Sequence, residues 1–243
     1  MKEFISVRFK IWRQHDNQST GKFEVYNLEN ISINISLLEA LDQLNENLIQ
    51  KDTRPINYEN DCREGICGSC GFIVNGQPHG PKMGTTICQL YMRNFKNNSL
   101  IELQPWRANA FPIVQDLTVD RSSLDRLIIS GGYFAAETGG APDANSIPIN
   151  PDKAFSSFET ATCIGCGACV AGCRNASSSL FIAAKLAHLG QLPQGYDDKK
   201  EMSKLMQKQM SLEGFGQCSN NLECEAVCPK EISADWISWM NKI

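Results

Sequence analysis

Four cysteines stand within eleven residues, Cys163, Cys166, Cys169 and Cys173, in the run Cys-Ile-Gly-Cys-Gly-Ala-Cys-Val-Ala-Gly-Cys. Gaps of two, two and three residues are those of a bacterial-type iron–sulfur ligand run. Three thiols this close reach three corners of one cubane only if the backbone turns tightly, and Gly165 and Gly167 allow dihedrals that a side chain forbids. Where two clusters are paired, the fourth cysteine ligates the other cluster, so Cys173 requires a second cysteine group. Cys218, Cys224 and Cys228, the last followed by Pro229, supply it. Zinc competes for clustered thiols, but it usually takes two separated pairs. With three histidines in all (His15, His79 and His188), the pattern favours iron and sulfide.

The chain around these thiols has an ordinary globular composition. Its 243 residues, 42% hydrophobic and 21% charged, suffice for two domains with cores of their own. A net charge of −4 without a dense Lys/Arg block gives no reason to expect nucleic acid. The N-terminus, Met-Lys-Glu-Phe-Ile-Ser-Val-Arg, lacks the apolar run of a secretory signal, and no segment approaches the length of a membrane span. Eleven cysteines in such a chain are expected as reduced, metal-holding thiols in the cytoplasm. Contact with a membrane is expected only through a partner.

Residues 4 to 12 alternate apolar with polar, the period of a half-buried strand, and Lys22 to Tyr26 repeats the pattern, which predicts an opening hairpin. Ser36 and Glu39 form a capping-box start for a helix carrying Leu37, Leu38, Leu41, Leu44 and Leu48. Next come Cys62, Cys67 and Cys70, separated by four and then two residues, with Cys88 beyond them, the plant-type two-iron pattern. Gly65, Gly68 and Gly71 allow tight turns and close approach of backbone N–H groups to sulfur. Phe72 to Val74, the Asn75-Gly76 turn, Thr85 to Leu90 and Leu100 to Leu103 predict further short strands. The expectation is an α+β chain: a β-grasp, plant-type ferredoxin-like domain over residues 1–110, then an all-α ferredoxin-like domain over 111–243.

Phe111 to Asp120 reads as a connector, and helices are expected over Ser122–Ser130, Ser177–Leu189, Asp198–Leu212 and Ser233–Asn241. Gly131 to Asp152, rich in Gly, Pro and Asn, reads as an ordered wrapping loop. Lys200, Lys204 and Lys208 mark a solvated helix face. Ile232, Trp236, Trp239, Met240 and Ile243 mark an apolar stripe, read as core packing ahead of a docking surface.

Counting ligands separates the clusters. Cys62, Cys67, Cys70 and Cys88 serve a 2Fe-2S centre, which leaves seven cysteines for two further centres. Setting Cys218, Cys224 and Cys228-Pro229 on the two-two-three spacing puts Asn221 where a thiol is missing, and carboxamide is a poor iron ligand beside thiolate. The crossing rule then assigns Cys163, Cys166, Cys169 and Cys228 to a 4Fe-4S centre, and Cys173, Cys218 and Cys224 to a 3Fe-4S centre.

This set, together with Cys-Arg-Glu-Gly-Ile-Cys-Gly-Ser-Cys at 62–70 and Cys-Pro-Lys-Glu-Ile at 228–232, resembles the iron–sulfur subunit of succinate dehydrogenase and fumarate reductase over nearly the whole chain. The resemblance implies a relay between the FAD of a flavoprotein subunit and a membrane cytochrome b with its quinone. It also implies attachment to the cytoplasmic face of the inner membrane. Catalysis would then belong to the complex and none of it to this chain alone. Two departures from the best-known members touch quinone chemistry: Cys173 is followed by Arg174-Asn175-Ala176-Ser177-Ser178 and Cys218 by Ser219. A quinone site is therefore not carried over. The long gap between Cys70 and Cys88 and the 163–169 run look more like the branch with a single di-haem cytochrome b anchor, where haem b takes the electron and menaquinone is the acceptor. The rival readings are fumarate reduction in the reverse direction, a soluble multi-cluster ferredoxin, and the relay subunit of another flavoenzyme.

Overall fold

The computed structural model describes residues 3–134, 149–193 and 197–243. The alternating N-terminal segment is strand β1 (Phe4–Arg13), in which Ile5, Val7, Phe9, Ile11 and Arg13 point inward and are buried. Strand β2 (Lys22–Ser32) returns antiparallel to it and runs past the expected end at Tyr26. Helix α1 (Leu37–Gln50) starts on the predicted capping box: Glu39 N donates to Ser36 Oγ at 3.2 Å and Ser36 N donates to Glu39 Oε2 at 2.7 Å. Its leucines share one core with Phe9, Ile11, Ile101 and Leu103.

The sheet is completed by β3 (Ile73–Val74), β4 (Gln77–Pro78) and β5 (Leu100–Gln104) in the order β2-β1-β5-β3-β4, with β5 parallel to β1. Asn75 and Gly76, at φ 51° and 79°, form the tight turn that their dipeptide predicts, but the returning strand is Gln77–Pro78. Thr85 to Leu90 is not the expected strand. It holds a 3₁₀ turn at Ile87–Gln89, because Thr85, Thr86, Ile87, Cys88 and Leu90 are all buried, which an alternating edge strand could not achieve.

Residues 111–120 connect the two halves as a hairpin, β6 (Ile113–Gln115) and β7 (Thr118–Val119), whose tip inserts Leu117 into the N-terminal core while Val119 packs into the C-terminal one. The helices that follow are α2 (Ser122–Gly131), α3 (Pro151–Ala161), α4 (Ala168–Gly172), α5 (Ser179–Gly190), α6 (Lys199–Leu212), α7 (Glu223–Ala226) and α8 (Asp235–Met240). Helix α5 is buried on nearly every side and is packed by α3, α6 and α8. On α6, Met202, Met206 and Met210 face the core and Lys200, Lys204 and Lys208 face solvent, as expected. Trp236 and Trp239 are half-buried, pack against the same core, and meet edge to face at 5.9 Å.

The wrapping loop expected over Gly131–Asp152 lies largely outside the described residues. Its C-terminal end is the start of α3, a helix the periodicity did not predict: Asn150 Oδ1 accepts a hydrogen bond from Asp152 N at 2.8 Å and Pro151 occupies the first turn.

Candidate metal centres

The Cys62–Cys70 loop is held against α1 and the 3₁₀ turn. Arg63, at φ 56°, forks onto Asp42 of α1 at 2.6 and 3.1 Å, and Gln89 Nε2 donates to Arg63 O at 2.7 Å. Gly65 and Gly68 both sit at φ 74°, which favours glycine. Gly71 answers to a different constraint, since a Cβ on it would lie 2.5 Å from Trp106 Cζ2.

Donors converge on the sulfurs of this loop. Glu64 N donates to Cys62 Sγ at 3.3 Å, and this bond, followed by one from Ile66 N–H, draws the Cys62 thiol down to about 7. Cys70 and Cys88 hydrogen-bond to each other, which pushes the desolvated Cys70 thiol well up and draws Cys88 down to about 6. Thr86 Oγ1 lies 3.2 Å from Cys88 Sγ and Ser69 Oγ lies 3.0 Å from Cys67 Sγ. Peptide and hydroxyl dipoles aimed at sulfur favour the thiolate form that iron binds.

In the helical half, Cys163, Cys166, Cys169 and Cys228 line one apolar pocket together with Leu180, Phe181 and Ile232. Burial raises the Cys163 thiol, takes Cys166 to about 12 and lifts Cys169 well above the usual thiol range. Cys173, Cys218 and Cys224 line a second pocket, and Asn221 is part of its lining. There, burial takes Cys224 up to about 11. Asn221 Nδ2 donates to Ser219 Oγ at 3.2 Å. All eleven cysteines are free. Among the described residues, no three His, Cys, Asp or Glu side chains converge as ligands of a single ion. Thiols spread around a pocket suit a multi-atom cluster, and donor sets dominated by sulfur, with Glu223 the one carboxylate in the two linings, suit iron and sulfide. The residues present therefore fit the iron–sulfur groups that their spacing implies.

The two halves meet at these loops. Arg121, just before α2, donates from Nη1 to Gly68 O at 2.8 Å, Gly165 O at 3.3 Å and Cys166 O at 3.5 Å, and from Nη2 to Glu59 Oε2 at 2.9 Å. Trp106 Nε1 donates to Cys166 O at 3.0 Å. A third tie is Asp116 at the hairpin tip, fully buried, which accepts both arms of Arg54 at 2.8 and 2.9 Å and the backbone N–H of Gln14 and Asn57. Sequence reading singled out neither Arg121 and Glu59 nor Arg54 and Asp116, because their partners lie tens of positions away and no local motif marks them.

Residues 8–126 match the family model of the 2Fe-2S iron–sulfur cluster binding domain, and residues 159–232 match that of the 4Fe-4S dicluster domain. Over 96% of its length the chain is 28% identical to a succinate dehydrogenase iron–sulfur subunit of Bacillus subtilis, covering 89% of that protein. Over 96% it is also 27% identical to a fumarate reductase iron–sulfur subunit of Escherichia coli, covering 90% of it. The chain is a homologue of iron–sulfur subunits of succinate dehydrogenase and fumarate reductase. Its fold agrees with that of a chain in the Mycobacterium smegmatis Sdh1 complex, at a TM-score of 0.76 and 22% identity over 98% of this chain and 95% of the other. The order of the halves, a 2Fe-2S ferredoxin-like domain followed by a helical 4Fe-4S domain, is that of the family models.

Proposed function

We propose that this chain is the electron-relaying subunit of a succinate dehydrogenase, lying between the FAD of a flavoprotein partner and a membrane anchor that passes electrons to quinone. The ligand sets are Cys62, Cys67, Cys70 and Cys88 for a 2Fe-2S centre, Cys163, Cys166, Cys169 and Cys228 for a 4Fe-4S centre, and Cys173, Cys218 and Cys224 for a 3Fe-4S centre. The domain division near residue 110 belongs to the same reading. Iron–sulfur groups bound there would supply one-electron carriage.

One observation carries the proposal: each thiol set adjoins the next. Gly68 of the first loop touches Ile164 and Cys166 of the second, and α4 joins Cys169 on the first pocket to Cys173 on the second. The protein's own part is to hold the thiols, aim N–H groups at sulfur, and keep water from the middle set with Leu180, Phe181 and Ile232. No helix among the described residues is long and apolar enough to cross a membrane; attachment through an anchor on the cytoplasmic face belongs to the same proposal.

The test is purification with and without partners. The chain alone should carry iron and sulfide yet show no succinate-dependent dye reduction, whereas the complex with its flavoprotein should show it, with succinate-reducible signals in paramagnetic resonance. Activity of the chain alone, or a native complex without flavin, would overturn the reading. Haem b in the complex supports the cytochrome b anchor and menaquinone assignment; an active haem-free complex removes that detail and leaves the relay standing.

A further inference from the structure

The Cys62–Cys70 and Cys163–Cys169 loops meet backbone to backbone. A Cβ on Gly68 would lie 2.3 Å from Ile164 O and 3.2 Å from Cys166 N, so the contact exists only because that residue has no side chain. Arg121 closes the edge of this contact. Its Nη1 serves Gly68 O at 2.8 Å on one loop and Gly165 O at 3.3 Å on the other, so one guanidinium spans both. The Arg121 side chain keeps 20% of its exposure and the Glu59 side chain paired with it keeps 41%, so the cation is the better buried of the two. A lysine would keep the charge and lose the planar fork.

We propose that Arg121 is a positioning residue for electron passage between the N-terminal centre and the first C-terminal one: it locks Gly68 against the 164–166 backbone and sets a positive charge beside both thiol sets. The proposal rests on the ligand sets of the preceding section. The transfer it serves moves one electron, lost by one centre and gained by the other, with no bond made and no proton moved. A cation in a partly desolvated gap favours the form with the extra negative charge, so Arg121 should raise both reduction potentials and Glu59 should oppose it. The field of Arg121 is already felt nearby: burial first, and then this charge, hold the His79 imidazole down at about 4. Trp106, bonded to Cys166 O at 3.0 Å, supports the same contact without charge.

The experiment is redox titration of the purified complex followed by paramagnetic resonance, read for the midpoint potentials of both centres and for the spin–spin interaction between them when both are reduced. In Arg121→Gln both potentials should move to more negative values and the interaction should weaken. Arg121→Lys should hold the potentials near native while the interaction still weakens. Glu59→Gln should move both potentials the opposite way. Native potentials and native coupling in Arg121→Gln would overturn the proposal. If that variant fails to assemble, Glu59→Gln decides, because unchanged or negatively shifted potentials there overturn the charge argument. Failure of the underlying ligand sets would show differently, as the absence of the two centres from the native protein.

Discussion

Asn221 occupies the one place where the two-two-three spacing of the second cysteine group is broken, and its neighbours show how the loop compensates. Asn220 and Leu222 lie at φ 56° and 64°, left-handed backbone that costs a side-chain-bearing residue about 1–2 kcal/mol. Asn175 Nδ2 holds the loop in that shape through Gln217 O at 2.8 Å and Ser219 Oγ at 3.1 Å. Asn221 lines the same pocket as Cys173, Cys218 and Cys224. Asn221→Cys should add a fourth thiolate to that lining without refolding the loop and convert a three-iron centre to a four-iron one. The added negative charge should lower that centre's potential. The measurement is paramagnetic resonance of the oxidised protein: a three-iron signal in the native chain that is lost in the variant. A native protein that lacks the signal with its iron intact would show that Asn221 or solvent completes a four-iron group. Candidate ligands of this kind were legible because cluster chemistry demands close sequence spacing. Arg121 and Glu59 were not, since 62 positions separate them and only the fold brings them together.

The hairpin of β6 and β7 shows what was missed at the next scale. Its strands hold three and two residues, too few for an alternation to register, so the segment read only as a connector. Asp116 is wholly buried, bound by Arg54 in a bidentate pair and approached by Arg13 Nε at 3.3 Å. Removing one member of a buried ion pair strands the others, a cost of about 3–5 kcal/mol. Asp116→Ala should destabilise the protein by that order in urea unfolding, whereas Arg54→Ala should cost less, because Arg54 is 38% exposed and Arg13 still neutralises the carboxylate. The double variant should cost clearly less than the sum of the two; strict additivity would mean that the pair does not act as a unit. Helix α3 was missed for the reverse reason. It buries Ser157 and Thr160, with Ser157 Oγ bonded to His188 O at 2.5 Å, and exposes Phe155 and Phe158. Its apolar periodicity therefore points away from the core, and only the Asn150-Pro151 start was there to be read.

Across the whole molecule the two halves differ in what their cores are made of. The N-terminal core is a continuous packing of β1, β5 and α1 side chains that includes only Cys70 and Cys88 among the thiols. The C-terminal core contains Cys166 and is bordered by Cys163, Cys169, Cys224 and Cys228, candidate ligands that line two pockets with Cys173 and Cys218. Clusters held there would join the segments that carry these thiols, and metal binding of this kind is coupled to folding. Stripping iron with a chelator under reducing conditions should therefore open the helical half first. Helices α4 and α7, each only a single turn or so long and flanked by candidate ligands, should lose hydrogen-exchange protection before β1, β2 and α1 do. The loss should not stay local, because the N-cap of α4 is Gly167, beside Trp106 and one residue past the Cys166 carbonyl that Trp106 and Arg121 share. The next segment to loosen should be the Cys62–Cys70 loop, across the Gly68 contact, while the sheet behind it stays protected. Exchange that rises uniformly through both halves would mean that the clusters stabilise one cooperative unit and that the separateness of the two cores has no energetic consequence.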